Sequence, residues 1–413
     1  MRLKFLGGAD EVGRSSILLE GSIKCLLDYG IDVQNFAVPI HPDMPIDAVL
    51  LSHCHLDHSG MIPELYKSGF EGSVYATITT HDLSSLLLRD ALKVQSRRDV
   101  TPFYLIDHII KMEKKRKVVG FGERIELDSF SFEFHSAGHI PGSAAMVIEM
   151  EGKRILYTGD IKFIDTKLMK GAFADYKDID ILISESTYSY TNHPDRKDLE
   201  RSLLEIVEET LHNNGIVLLP SFAVGRAQEL LLIVDEIDYP VYMDGMGIDA
   251  TLRILSHPES VRDFKALKRS FSKAHKVERN SQRKKIIRNP CVIITTAGML
   301  NGGPIGYYMK RLHMKENCSL VLTGFQVPGT VGRTLLDTGR YVAEGLDVKP
   351  KMRVEFMDFS AHTDHDHLLD FYKKVNPEKI ILVHGDHTEE FAEELKNLGF
   401  EVFSPKNGDV IEF

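Results

Sequence analysis

Apolar residues come in short runs through the first half of the chain, with turn residues between them. LKFL, ILLE, CLLD, VLLS, SVYA, SFEFHS, AMVIEM, RILYT and ILISE read as strands over 3–6, 17–20, 25–28, 49–52, 73–76, 131–136, 145–150, 154–158 and 181–185. Several are joined by short turns such as EGSIK and MEGKR. Longer helical stretches interrupt them, notably from about Thr80 to Gln95. The pattern predicts two mixed sheets with helices outside.

Near Tyr190 the pattern changes. From DRKDLERSLLEIVEETLHNNG onward, the apolar strands IVLLP, PVYMD, CVIITT and SLVLTG alternate with amphipathic helices, the signature of a parallel α/β sheet. The last part, MRVEFMDFSAHTDH, KIILVHGDH and GFEVFSP, returns to the first style. At 413 residues the chain is too long for one ordinary core. We expect a first domain over 1–192, an inserted α/β domain over 193–350, and completion of the first domain over 351–413. The basic patches KKRK (114–117) and RKKIIR (283–288) read as solvated faces.

No run approaches the roughly 20 apolar residues of a membrane helix, and the N-terminus lacks the apolar core of a signal peptide. The expectation is a cytoplasmic protein without membrane contact. Cys25, Cys54, Cys291 and Cys318 are scattered and form no CxxC pair, which argues against a disulfide framework and against a thiolate zinc site. The net charge of −10 requires a nucleic-acid binder of this composition to concentrate its positive charge locally.

One stretch is foreign to chain folding alone. LSHCHLDHSG packs His53, His55, Asp57 and His58 directly behind an apolar run. Residues two apart in extended chain point the same way, so His53 and His55 can converge on one ion while Cys54 turns away as a buried filler. Asp57 and His58 follow where the chain enters a helix. Zinc takes about four ligands, so others must come from elsewhere. His139 in HSAGHIPGS, Asp160 after ILYTG and His384 after IILV sit at other strand ends. Together these residues fit a seven-ligand site for two ions.

HxHxDH followed by GH, TGD and a late histidine resembles the metallo-β-lactamase superfamily over almost the whole chain. That resemblance implies an αββα sandwich in which His53, His55 and His139 hold one ion. Asp57, His58 and His384 would hold the other, with Asp160 bridging. Five imidazoles and two carboxylates suit two Zn²⁺ ions, with iron and manganese as alternatives. Asp28 matches the family's first motif and is expected to orient a ligand histidine or the attacking water. Two divalent ions, two carboxylates and a bridging hydroxide leave a net charge of about +1, suited to a phosphodiester anion.

Glu185 in ISESTY, His362 in FSAHTDH and His384 in LVHGDH resemble the three further motifs of the β-CASP nucleases, whose α/β domain is inserted between the first and second of them. A histidine at the third motif favours RNA over DNA. GGADEVGRSS and SHCHLDHSG look closest to the polyadenylation-factor nucleases and their archaeal relatives, with the RNase J group as nearest competitor. Relatives of the first kind often carry a KH module. The chain opens on its first strand, which predicts none.

The resemblance implies a zinc-dependent ribonuclease in RNA processing or decay, cutting single-stranded RNA internally, from the 5′ end, or both, in a cleft between domains. His362 would be the general acid, oriented by Glu185. The alternatives are a DNA-processing relative, a small-molecule hydrolase of the lactamase type, and a scaffold subunit without catalysis. Three strand–loop–helix junctions, LLPSFAVGRAQELL, ITTAGMLNGGPIGYY and VLTGFQVPGTVGRTLL, are expected to share one sheet edge and favour anions. Gly225, Arg226, Arg333 and Ser360 are therefore candidate phosphate contacts. Phe222, Phe325 and Tyr188 are candidates for base stacking, with core packing as the competing role. The ending GDVIEF is expected either to pair across a homodimer or to complete the sheet.

Overall fold

The computed structural model describes residues 1–97, 100–128 and 130–413. It divides into two compact units. The first holds Met1–Asp165, Lys170–Asn192 and Ala361–Phe413, and the second holds Thr166–Met169 and His193–Ser360.

The first unit is a sandwich of two seven-stranded sheets. One orders Val410–Glu412, Arg2–Gly7, Ser16–Glu20, Lys24–Leu27, Ala48–Leu50, Ser73–Ala76 and Arg116–Val118. The other orders Val402–Phe403, Lys379–Val383, Ile181–Glu185, Lys153–Tyr157, Ala144–Met150, Phe130–Ser136 and Arg124–Leu127. The expected strands are present with ends shifted by a residue or two. The short edge strands Arg116–Val118 and Arg124–Leu127 were not foreseen, because their residues are charged and largely solvent-facing. Val410–Glu412 pairs antiparallel with Arg2–Gly7, so GDVIEF completes a sheet of its own chain.

Alternation along the strands builds three layers of packing. Leu3, Phe5, Ile17, Leu19, Leu27 and Leu50 of the first sheet meet Phe132, Phe134, Met146, Ile148, Ile155, Ile183 and Ile381 of the second. The intervening residues face outward. Leu18, Leu26, Val49 and Val74 pack on Ile62, Leu65 and Ile109 from outer helices. Val147, Leu156, Leu182 and Leu382 pack on Leu368, Phe371 and Leu395. Strand side chains have a period of two, so a one-residue slip would exchange the residues packed between the sheets with those packed against the helices. The result is the αββα sandwich.

The second unit has a six-stranded sheet ordered His275–Val277, Val241–Asp244, Cys291–Thr295, Ile216–Pro220, Ser319–Leu322 and Arg353–Phe356. All its pairings are parallel. Its boundary differs from the sequence reading. Residues 351–360 lie here because Arg353–Phe356 bonds along Ser319–Leu322. Thr166–Met169 also belongs here. Glu229 accepts from the amides of Lys167 and Leu168 at 3.0 and 2.7 Å, and Arg262 donates to the Thr166 carbonyl at 2.8 Å. Nor is RKKIIR wholly a solvated face: Arg283 grips the buried Asp244 through two hydrogen bonds of 2.6 and 2.8 Å.

Candidate metal centre

Parallel pairing brings the chemistry to one edge of the sandwich. Lys24–Leu27 and Ala48–Leu50 run parallel, so Asp28 and the loop to His53 leave the same end. Lys153–Tyr157, Ile181–Glu185 and Lys379–Val383 also run parallel, placing Asp160, Glu185 and His384 together. Gly30 permits the close packing of the loops of the first sheet, since a Cβ there would stand 1.7 Å from the Asp57 carbonyl oxygen. His384 and Asp28 both have positive φ, at 49° and 56°. Such strain in non-glycine residues clusters at functional sites.

The donor atoms form two adjoining groups, with Asp160 in the first and its Oδ1 beside His58 of the second. In the first, His55 Nδ1 lies 3.2 Å from both His53 Nε2 and His139 Nε2. Asp160 Oδ2 lies 3.4 and 3.5 Å from those same two Nε2 atoms. In the second, Asp160 Oδ1 is 3.3 Å from His58 Nε2, and Asp57 Oδ2 is 3.6 Å from His384 Nε2. Four ligands held about 2.0–2.1 Å from a zinc ion at tetrahedral angles stand about 3.4 Å from one another. The observed spacing matches that tetrahedron edge. His58 Nε2, Asp160 Oδ1 and His384 Nε2 are buried with no hydrogen-bond partner among the described residues. Orphaned buried polar atoms are costly, and a cation bound among them removes that cost.

The outward nitrogens are already spoken for. His139 Nδ1 contacts the Ala361 carbonyl at 3.0 Å, His53 Nδ1 contacts Ser52 Oγ at 3.0 Å, and His58 Nδ1 donates to Asp28 Oδ2 at 2.7 Å. Each bond fixes a tautomer that leaves Nε2 facing inward. Asp28 is fully buried and also accepts from Ser52 N, Ser52 Oγ and Tyr157 Oη, each at 2.7 Å. Burial holds His53 and His139 well below the usual imidazole range, in the neutral form that binds metal. Burial also opposes a charge on His58, but the carboxylates of Asp160 and Asp28 outweigh it and raise this imidazole well above its ordinary value.

Beside the donors, His362 Nδ1 meets Glu185 Oε2 at 2.8 Å, and His362 Nε2 lies 3.9 Å from Asp160 Oδ2. Burial works against a proton on His362, yet Glu185 and Asp160 prevail and lift it to about 9. Asp160, Glu185, His362 and His384 form a third convergence of ligand-type atoms. Glu185 is committed to hydrogen bonds on both oxygens: Oε1 accepts from the Ile161 amide at 2.5 Å, and Oε2 from Thr187 and His362. That suits an orienting carboxylate better than a ligand. Lys162 Nζ donates to the His362 carbonyl at 2.8 Å, and Thr363 N to the Ile161 carbonyl at 2.7 Å, stitching the His362 loop to the Asp160 loop.

Cys54 is fully buried, belongs to neither donor group, and has its thiol pushed far up by burial. Ser52, Tyr157, Lys162 and Thr187 escaped the sequence reading. Only Thr187 carried a signal, standing two residues beyond Glu185 and so on the same side of extended chain. Tyr188 is 5% exposed and stacks on Tyr190, with ring centroids 6.2 Å apart.

In the second unit, Gly225 precedes helix Arg226–Ile233 with φ 81°. Arg226, expected in an open loop, is buried and donates to the Thr323 carbonyl, which ties two of the three junctions together. Arg333 lies in the first turn of helix Val331–Thr338, its side chain 43% exposed and paired with Asp337 at 2.9 Å. Ser360 is buried. Phe222 and Phe325 are 37% and 39% exposed, unlike core residues. Among the described residues no helix is long and apolar enough to cross a membrane.

Fold and donor set together define a metal-dependent hydrolase of the lactamase type. The chain matches three family models: Metallo-beta-lactamase superfamily over residues 42–205, Beta-Casp domain over 227–335, and Zn-dependent metallo-hydrolase RNA specificity domain over 347–405. It is 38% identical to "Probable RNase MJ4" of Methanocaldococcus jannaschii, with all of both chains covered. It is 36% identical to "RNase aCSPSF2" of Saccharolobus solfataricus, over 99% of this chain and 85% of that one. "Transcription termination factor FttA" of M. jannaschii is 34% identical, over 100% of this chain and 71% of that protein. A crystal structure of a protein of unknown function from Enterococcus faecalis V583 shares the fold, with a TM-score of 0.64, 16% identity and 99% of each chain covered. The chain belongs to the β-CASP family of the metallo-β-lactamase superfamily.

Proposed function

We propose that the chain is a zinc-dependent ribonuclease that hydrolyses RNA phosphodiester bonds, internally, from the 5′ end, or both. The observation that carries this reading is two adjoining donor groups, with Asp160 in one and its Oδ1 3.3 Å from His58 Nε2 of the other, beside the His362–Glu185 pair. Relatives named as RNases and the match to an RNA specificity domain favour RNA as substrate, as does a histidine, His384, at the third motif.

His53, His55 and His139 would hold one ion and Asp57, His58 and His384 the other, with Asp160 offering an oxygen to each group. When bound, the two ions supply a nucleophilic water at neutral pH and charge stabilisation at phosphorus. His362 keeps a proton on Nε2 for the leaving ribose oxygen, and Glu185 fixes the ring through Nδ1. Asp28 holds His58 in the tautomer that turns Nε2 inward. Of the phosphate contacts assigned to Gly225, Arg226, Arg333 and Ser360, Arg333 has the exposed guanidinium that could meet a backbone phosphate directly.

Labelled RNA, single-stranded DNA and a thioester, each incubated with and without chelator, test the substrate class. Cleavage of RNA alone, abolished by chelator and by Asp160→Ala, is expected. Unimpaired RNA cleavage by Asp160→Ala would sink the two-metal account, and preferential cleavage of DNA or thioester would replace the ribonuclease reading.

A further inference from the structure

Two loops meet beside the metal centre: the one after Ile181–Glu185 and the one after Lys379–Val383. Gly385 lets them touch, because a Cβ there would stand 2.5 Å from Ser186 Oγ and 2.6 Å from the Ser186 carbonyl oxygen. Ser186 Oγ in turn donates to the Val383 carbonyl at 2.9 Å. This packing delivers the Thr187 hydroxyl to a point between two working groups. Thr187 Oγ1 lies 2.6 Å from Glu185 Oε2 and 3.2 Å from His384 Nδ1.

The hydroxyl has one proton and two acceptors in reach, Glu185 Oε2 at 2.6 Å and the His384 carbonyl at 3.0 Å. The ionised and nearer acceptor makes the stronger bond, so the proton goes to Glu185. Its lone pairs then face His384 Nδ1. That nitrogen has a second neighbour, Asp160 Oδ1 at 3.3 Å. On the ribonuclease reading Asp160 Oδ1 is a ligand, which leaves Thr187 as the acceptor for the Nδ1 proton.

We propose that Thr187 is a positioning residue whose hydroxyl couples the His384 ligand to the His362–Glu185 acid pair. The chain of bonds runs from His384 Nδ1–H to Thr187 Oγ1, from Thr187 O–H to Glu185 Oε2, and to Glu185 Oε2 from His362 Nδ1–H. It fixes both tautomers at once. His384 must present Nε2 to the ion, and His362 must present Nε2 to the leaving group. Neither ring can flip without breaking a bond to the shared Thr187–Glu185 unit. The proposal rests on the two-metal ribonuclease reading for its consequences, and on the hydrogen bonds alone for its geometry.

Thr187→Val keeps the shape and removes the hydroxyl, and Thr187→Ser restores it. Two readouts separate the possibilities. In the first, zinc alone is titrated against a chromophoric chelator. Thr187→Val should weaken the affinity of one ion about tenfold, as loss of a ligand's outer partner does, and Thr187→Ser should recover it to within about threefold. In the second, RNA turnover by Thr187→Val should fall at least as far with KM nearly unchanged, and Thr187→Ser should again recover it. Melting curves confirm that each variant folds. Wild-type zinc affinity and turnover in Thr187→Val would overturn the proposal, as would a serine variant as impaired as the valine one. Wild-type protein that binds zinc but leaves RNA intact would count against the ribonuclease reading, and the zinc comparison alone would still decide the role of Thr187.

Discussion

At the scale of single residues, the centre depends on what each side chain's second polar atom touches. Asp28 accepts four hydrogen bonds in a fully buried position. Asparagine there would set an amide N–H against donors already present. Asp28→Asn should weaken zinc binding about 10–100-fold through His58 and lower stability by about 1–3 kcal/mol, measured by chelator competition and urea unfolding. Unchanged zinc affinity would remove Asp28 from the support of the site. His362 makes a different prediction. His362→Ala should cut turnover about 10²–10⁴-fold while RNA affinity stays within a few-fold, because the ring is assigned to proton transfer and not to holding the substrate. Equal losses of binding and turnover would mean that His362 only shapes the loop. The types and order of the candidate ligands are legible in the sequence, since HxHxDH is a local pattern. The roles of Tyr157 and Ser52 are not, because a hydroxyl near a strand end has no signature until the strand order decides which carboxylate it meets.

At the scale of elements, helix Ile78–Arg97 shows how burial sets pH behaviour. His81 on this helix is 5% exposed and bonds the Lys117 carbonyl at 3.0 Å, and burial pushes its imidazole down to about 4. The folded state therefore prefers neutral His81, while the unfolded chain takes up a proton near pH 6.5. Stability from this site is complete above pH 6.5 and is lost as pH falls towards 4. Between pH 7 and pH 5, metal-free wild type should lose about 2 kcal/mol more unfolding free energy than His81→Gln. Equal losses in paired urea titrations would contradict the assignment. The edge strand Arg116–Val118, whose Lys117 supplies that carbonyl, was hidden in the sequence by its charge. Edge strands are often charged, which protects them from pairing with other chains.

At the scale of the whole molecule, each unit has its own core, and the donor groups belong to the first unit alone. Chelation should speed amide exchange in the loops around His53, Asp160, Ala361 and His384, and leave Cys291–Thr295 and Ser319–Leu322 unchanged. Hydrogen exchange with mass detection reads this directly, and a uniform response in both units would refute it. The order of the chain's parts, the parallel character of the insert and the candidate donors were legible in the sequence, because period, strand length and residue type are local properties. Tertiary structure alone decided the rest. Arg353–Phe356 joined the second unit because its hydrogen-bonding partner is Ser319–Leu322, Arg226 turned inward to the Thr323 carbonyl, and Thr187 came to lie between His384 and Glu185. Such placements depend on which backbones run side by side, a relation between residues far apart in the chain that no local spacing encodes.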